Sequence, residues 1–453
     1  MFLRFYDEGL AQASFLIGCD RTREAVVVDP RRDASVYLDA ARQHGLTLVA
    51  AIETHVHADF VSGAHELASV GVRVICGPGS ALHYDSHEAT DGEKLPIGDV
   101  TLTVLHTPGH TPEHISILAE APGKPSRLFT GDFLFVGAVG RPDLLGTEQT
   151  KRLAHDLYAS VQRLSTLNDD IEVHPGHGSG SLCGAGIGKE PSSTIGLERR
   201  QNPMLQFSDE DAFVSAVLSD LPDTPPYFVR MKRINQEGAP LLGLVTGPRS
   251  VPAIKPAAAA ALAADGALII DLRSAEAFAA AHPYGALNLG YGSKVGYWAG
   301  WVLPPDEPMI LLAPEPSEAQ EAAAQLLRVG LDRIEGYVAG GFDAWKDAAL
   351  PVATLSAISA SQLRMRESSE PLTIIDVRTP KEFRAGHIDG AINIPLGDLW
   401  SRIAEVPRGA AIATMCEAGY RSSLAASILE REGLESIVNI QGGMSAFRAV
   451  EAT

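Results

Sequence analysis

Cysteine is scarce. Cys19, Cys76, Cys183 and Cys416 are spread over 453 residues, too few and too far apart for a disulfide framework, so the fold must hold through its core. A reducing cytoplasm suits such a chain. Basic residues are also in deficit: 37 Lys and Arg face 56 Asp and Glu, a formal net charge of −19. A general nucleic-acid binder needs the opposite balance to displace counterions from phosphates, and an anionic membrane surface is disfavoured for the same reason. Long apolar runs are missing as well. The longest Ala-rich stretch, Ala257–Ala264, is too short and too weakly apolar to span a bilayer. The first residues, MFLRFYDEGLAQASFLIG, carry acids where a secretory signal has a basic start and an unbroken apolar core.

What is present is globular: 45% hydrophobic and 21% charged residues, in a chain long enough for about three domains. Short β-rich runs alternate with amphipathic ones (AVVVD, VYLDAARQHG, TLVAAIETH, HELASVG, VRVIC), the pattern of an α/β domain. It continues through VTLTVLHT, ISILAE and RLFTGD to a Gly-rich turn, HPGHGSGSLCGAG. Further on the chain repeats itself. ALIIDLRSAEAFAAAHPYGALNLG at Ala267–Gly290 aligns with LTIIDVRTPKEFRAGHIDGAINIP at Leu372–Pro395, and IEGYVAGGFDAWK at Ile334–Lys346 aligns with IVNIQGGMSAFRA at Ile437–Ala449. A small strand–helix unit is used twice. The expected layout is an α/β multidomain chain with domains over residues 1–248, 249–355 and 356–453.

The chemistry of the first domain lies at its strand ends. His55, His57 and Asp59 stand at alternate positions in THVHAD, directly after an apolar run, so that they can converge on one point. His110 in TPGHTPEH, Asp132 in FTGDFLF and His177 in HPGHG occupy similar places beside Gly or Pro. Any one of them could be a loop histidine or a capping carboxylate; the set in this order points to a metal. The four motifs resemble those of the metallo-β-lactamase fold, an αββα sandwich with metal between its sheets. Most hydrolases of that fold hold two zinc ions and have His directly after the Asp of the first motif, where this chain has Phe60. The similarity is closer to the persulfide dioxygenase branch, through ETHVHADFVSG, VGAVGRPDL and SGSLCGAG leading into PSSTIGLERRQNP.

That resemblance implies one Fe(II) per chain, with His55, His110 and Asp132 as ligands and His57, Asp59 and His177 around them. Two His and one carboxylate leave positions open on an octahedral iron. The substrates implied are a low-molecular-weight persulfide and O2, and the product is sulfite. Arg141 is a candidate for steering an anionic substrate, with a structural surface Arg as the alternative. Cys183 is by default a buried inert thiol. Related fusion enzymes carry a Cys here, which implies a direct role in holding substrate sulfur near the iron. Cys19 and Cys76 read as core.

The last domain carries MCEAGYRSS at Met415–Ser423, between a short apolar strand and an amphipathic helix. Cys416 thus opens a loop at a helix N-terminus, where backbone N–H groups stabilise a thiolate or persulfide. Arg421 adds positive charge there, and Glu417 opposes it. Cys-x-x-Gly-x-Arg-Ser, with the upstream DVRTPKEFRAGHIDGAINIP, resembles the rhodanese sulfurtransferases. The resemblance implies that Cys416 carries sulfane sulfur, forming or consuming thiosulfate, and that Asp376 and Arg378 organise the domain. At the equivalent place the first copy reads PEPSEAQ, with neither Cys nor Arg, and is expected to be an inactive rhodanese-like spacer. Its Lys294, Tyr297, Trp298 and Trp301 are expected to be core rather than an interface. The expected whole is a persulfide dioxygenase–rhodanese fusion, a homo-oligomer without nucleic-acid or membrane partners. The rival readings are a zinc thioester hydrolase of the glyoxalase II kind with a sulfurtransferase attached, and a non-catalytic sulfur carrier.

Overall fold

The computed structural model describes residues 1–219, 221–366 and 372–451. It divides into two compact units, residues 1–249 with 327–330, and residues 250–326 with 331–453.

In the first unit, valine- and isoleucine-rich runs become two six-stranded sheets. One is ordered Phe2–Asp7, Gln12–Cys19, Glu24–Val28, Thr47–Ile52, Arg73–Cys76 and His87–Glu88; the other Ser193–Thr194, Glu172–Pro175, Arg127–Gly131, Ile115–Glu120, Val100–His106 and Lys94–Ile97. Every residue of Gln12–Cys19 is buried, as expected of a strand covered on both faces, which reads as a continuous rather than alternating apolar run. Phe15, Ile17 and Cys19 meet Leu102, Val104, Ile117 and Phe129 between the sheets. Leu16, Ala25 and Val27 point the other way, toward the helix Ser35–Gln43. On the far side Leu128 and Val173 pack under the helices Thr147–Arg163 and Glu210–Ser219. The layers are therefore αββα. Strand–helix alternation alone suggests parallel pairing, but the first three strands pair antiparallel. The short links Glu8–Ala11 and Asp20–Arg23 between them leave room only for hairpins.

The second unit holds two five-stranded sheets of the same design, each wholly parallel. One is ordered Ala253–Ile254, Ile334–Val338, Met309–Leu312, Leu268–Asp271, Leu287–Asn288. The other is ordered Ser356–Ile358, Ile437–Ile440, Ala411–Met415, Leu372–Asp376, Ile392–Asn393. The repeat extends to individual hydrogen bonds. Arg273 Nε and Nη2 grip Asp271 at 2.9 and 2.5 Å, and Arg378 grips Asp376 at 3.0 and 2.7 Å. Asn288 donates to the carbonyls of Asp271 and Arg273, and Asn393 to those of Asp376 and Arg378.

No helix among the described residues is long and apolar enough to cross a membrane, and all four cysteines are free and buried. Phe129 is 1% exposed, on the strand that leads to Asp132. Phe129→Ala should lower unfolding stability by about 3–5 kcal/mol, read by denaturant titration; a loss below about 1 kcal/mol would mean that the two sheets do not depend on this contact.

Candidate metal centre and cysteine loop

The first centre assembles where strands end. His55, His57 and Asp59 follow Thr47–Ile52, Asp132 follows Arg127–Gly131, His177 follows Glu172–Pro175, and His110 lies in the loop after Val100–His106. All six side chains are buried. His55, His110 and Asp132 form one group whose ligand atoms lie within 4.8 Å of one another. Asp132 Oδ2 is 3.8 Å from His55 Nε2 and 3.5 Å from His110 Nε2, while its Oδ1 is 3.6 Å from His177 Nε2. Asp59, His177 and Cys183 form an adjoining group, and Asp29, Glu53 and His57 a third.

The imidazoles are held by their far nitrogens. His110 Nδ1 donates to the Arg141 carbonyl at 2.9 Å, and His177 Nδ1 to the Ala11 carbonyl at 3.1 Å. Thr54 Oγ1 donates to Asp29 and so accepts from His55 Nδ1 at 3.0 Å. Each arrangement fixes a ring with Nε2 turned inward, the usual preparation of a metal ligand. Burial, followed by the rings of His57 and His110, holds His55 well below the ordinary imidazole range, and burial takes His110 down to about 3. Both are neutral at physiological pH, as ligands must be. His57 differs. Burial works against its charge, but Asp29, Glu53 and Asp59 outweigh it and raise the ring to about 10. Its Nε2 lies 3.2 Å from Asp29 and 3.5 Å from Glu53, so it is a cation set into a carboxylate pair beside His55.

His55 Nε2 and both oxygens of Asp132 have no hydrogen-bond partner although buried. Leaving such groups dry costs about 1–3 kcal/mol each, and one cation at their meeting point removes that cost. Two imidazoles and a carboxylate fit a non-haem Fe(II). Phe60 is fully buried, its ring 4.4 Å from that of His57, and offers no donor.

Several positioning groups carry no local motif. His114 Nε2 accepts from the Asp132 N–H at 3.0 Å; only its neighbourhood to His110 in TPGHTPEH hints at it. Asn235, on the helix Phe228–Glu237, donates to the carbonyls of His57 and Phe60 at 2.8 Å each and accepts from the Ser62 N–H at 2.9 Å. Arg141 is 2% exposed, and its guanidinium is committed to Asp143, the Leu182 carbonyl and Thr224. It shapes the loop whose carbonyl orients His110. Cys183 packs with Phe135, Ala138 and Ile187. Burial, then the charges of Asp132 and Asp59, push its thiol well above the usual range.

The second centre is the Cys416 loop. The strand Ala411–Met415 ends at Cys416, and the helix Tyr420–Arg431 begins four residues later. Gly419, at φ 101°, turns its N–H onto Cys416 Sγ at 3.0 Å, and Sγ lies 3.5 Å from Ser422 Oγ. A side chain at Gly443 would collide with the Cys416 carbonyl, which explains the second glycine after Gln441. Arg421 pairs with Glu382 at 2.6 and 2.8 Å. Glu417 is tied to Ser445 and Arg448 at 2.8 Å and to Arg378 at 3.3 Å, so its charge is matched within the loop. At the same place after Met309–Leu312 the first copy has Ala313 and Pro314.

Fold and sites together define a metal-binding αββα domain joined to a cysteine-bearing parallel α/β repeat. The chain matches the metallo-beta-lactamase superfamily over residues 7–177 and the rhodanese-like domain over residues 255–348 and 359–450. It belongs to the metallo-β-lactamase superfamily, in a fusion with two rhodanese-like domains. It is 31% identical over 206 residues to "Persulfide dioxygenase ETHE1, mitochondrial" of Bos taurus, covering 44% of this chain and 73% of that one. It is 38% identical over 159 residues to the hydroxyacylglutathione hydrolase of Tolumonas auensis, covering 34% of this chain and 57% of the hydrolase. A crystal structure described as a metallo-beta-lactamase from Staphylococcus aureus superposes with a TM-score of 0.66 at 36% identity, covering 74% of this chain and 98% of that one.

Asn235→Ala removes three hydrogen bonds from the loop that carries His55 and His57. It should weaken metal affinity about 10–100-fold, measured by competition with a chelator. Unchanged affinity would mean the loop holds its shape unaided.

Proposed function

We propose that the first domain is a non-haem Fe(II) persulfide dioxygenase and that Cys416 exchanges sulfur between persulfide and thiosulfate. The observation that carries this reading is the buried set His55, His110 and Asp132, with His55 Nε2 and both Asp132 oxygens unpartnered, beside a Phe60 that stands where the usual second-metal ligand would be. The 31% identity to a persulfide dioxygenase over 206 residues supports it.

Fe(II) in such a site supplies the redox chemistry that joins O2 to a sulfur anion. The protein's part is positioning. The Arg141 carbonyl and the Thr54 hydroxyl fix the two imidazoles, and the His114 ring fixes the backbone of Asp132. Burial keeps water from competing. His177 lies 3.2 Å from Asp59; burial disfavours its charge, but Asp132 and Asp59 raise its pKa, and it is the group assigned to protonate the departing thiolate. Cys183, a protonated thiol beside this set, is assigned to the wall against which substrate sulfur rests. One persulfide, one O2 and one water give one thiol, one sulfite and two protons. The Cys416 thiolate takes the outer sulfur of a second persulfide, releasing its thiol, and passes that sulfur to sulfite, giving thiosulfate and the free thiolate. Covalent fusion raises the effective concentration of one product at the other centre. The same reading places the chain in a reducing cytoplasm, consistent with four free cysteines, and as a homo-oligomer.

A zinc thioester hydrolase is the second reading. Its supports are the 38% identity to a hydroxyacylglutathione hydrolase and the Asp59, His177 and Cys183 group beside Asp132.

Chelated protein reloaded with Fe(II) should consume O2 on addition of glutathione persulfide, whereas Zn(II) reloading should not restore uptake. Cys416→Ser should keep O2 uptake within about two-fold of the unaltered chain and release sulfite in place of thiosulfate. Thioester hydrolysis restored by zinc, without O2 uptake, would replace the dioxygenase by the hydrolase. Thiosulfate still formed by Cys416→Ser would remove Cys416 from the pathway.

A further inference from the structure

The cysteine-lacking rhodanese copy does more than space the domains. A cavity of about 370 Å³ beside Cys416 is walled by Tyr291, Lys294 and Trp298 of the first copy and by Cys416, Tyr420 and Arg421 of the second. The two walls are held together. The helix that follows the cysteine buries every residue from Ser422 to Leu429, and much of that face lies on the first copy. Tyr420 Oη donates to the Gly290 carbonyl at 3.1 Å, Ser423 Oγ donates to Asn288 Oδ1 at 2.5 Å, and the Asn288 N–H donates to Ser427 Oγ at 3.0 Å. His282 meets Glu430 at 2.8 Å.

The charges around the cavity are unevenly matched. Arg421, the cation expected to receive an anionic donor, makes two hydrogen bonds to Glu382 and lies over the Trp298 ring at 5.5 Å. Glu382 stays ionised at any working pH. Burial disfavours its charge, but Arg421 and Thr379 hold it down to about 2. Glu417 is matched by Arg448 and Arg378. Lys294 is different: exposed, 5.7 Å from the Tyr297 ring, it has no carboxylate partner among the described residues. It is the cavity's unmatched cation, and it comes from the copy without a cysteine.

We propose that the first rhodanese copy supplies the anion-recognition half of the Cys416 site, with Lys294 binding the charged end of a sulfur oxyanion and Trp298 and Tyr291 forming the wall against which it rests. The ligand class is a small sulfur oxyanion that carries or accepts a sulfane sulfur, and Lys294 sets its affinity. The inference rests on reading Cys416 as a sulfur-transfer cysteine.

The test uses full-length Cys416→Ser protein, which binds without turnover, titrated calorimetrically at low ionic strength with thiosulfate in one arm and sulfite in the other. Adding Lys294→Ala should raise Kd about ten-fold, the scale of one lost charge-assisted hydrogen bond. Lys294→Arg should stay within about two-fold, and Lys346→Ala, outside the cavity, should change nothing. The arm with the tighter binding identifies the anion. Equal binding with and without Lys294, or no saturable binding of either anion, overturns the proposal. Mass spectrometry of the unaltered chain separates the two readings. If Cys416 never gains sulfur from any donor while anion binding still depends on Lys294, the transfer reading fails and the subsite stands. If Cys416 loads normally and Lys294→Ala leaves KM for the anion unchanged, the subsite fails alone.

Discussion

A carboxylate with no exposure and no hydrogen-bond partner for either oxygen is costly to bury, and the first domain is arranged around one. Asp132 has its backbone N–H on His114 and its two oxygens turned toward three imidazole nitrogens. Burial raises its pKa, the response of a charge waiting for a cation. The rest follows from that constraint. The αββα layers bring strand ends from both sheets to one rim. Glycine at 131 is required because a side chain there would collide with Thr54 and His114. Burial keeps His55 and His110 neutral, whereas Asp29, Glu53 and Asp59 together outweigh burial at His57 and hold it cationic.

The second unit uses one frame twice, with a cysteine in only one copy. Both copies retain the aspartate–arginine grip and the asparagine that ties its backbone. These bonds hold the strand end that borders the cysteine loop, and they serve equally where the loop is Ala-Pro. What the first copy keeps, beyond its frame, is a surface that fits the helix following Cys416. Lys294 and Trp298, expected from sequence to be core, instead line the Cys416 cavity.

Much of this was legible in the chain. Strand-end motifs are local: THVHAD, TPGHT, TGD and HPGHG each place a donor beside a turn, and the structure brings five of the six residues around Asp132 while turning His57 onto Asp29 and Glu53. The repeat was visible because both copies keep the same Asp-x-Arg and His or Asn spacing. What was not legible are contacts with no local periodicity. Asn235 reaches the His57 loop from 178 residues away, and Asp29 reaches Thr54 from 25. The sequence leaves Arg141 open between steering an anion and a structural role, and puts Arg421 beside Cys416 as positive charge. The structure pairs them with Asp143 and Glu382, partners that sequence distance conceals for Arg421 and the loop's own turn conceals for Arg141.

The proposed dioxygenase requires His55, His110 and Asp132 to hold a single Fe(II) with open positions beside it. The direct measurement is electron paramagnetic resonance of anaerobically Fe(II)-loaded full-length protein exposed to nitric oxide, with metal content determined on the same sample. One high-spin iron–nitrosyl signal per chain is expected, altered by added persulfide and lost in Asp132→Ala. A chain that takes up two zinc ions, excludes iron and gives no nitrosyl signal would contradict it.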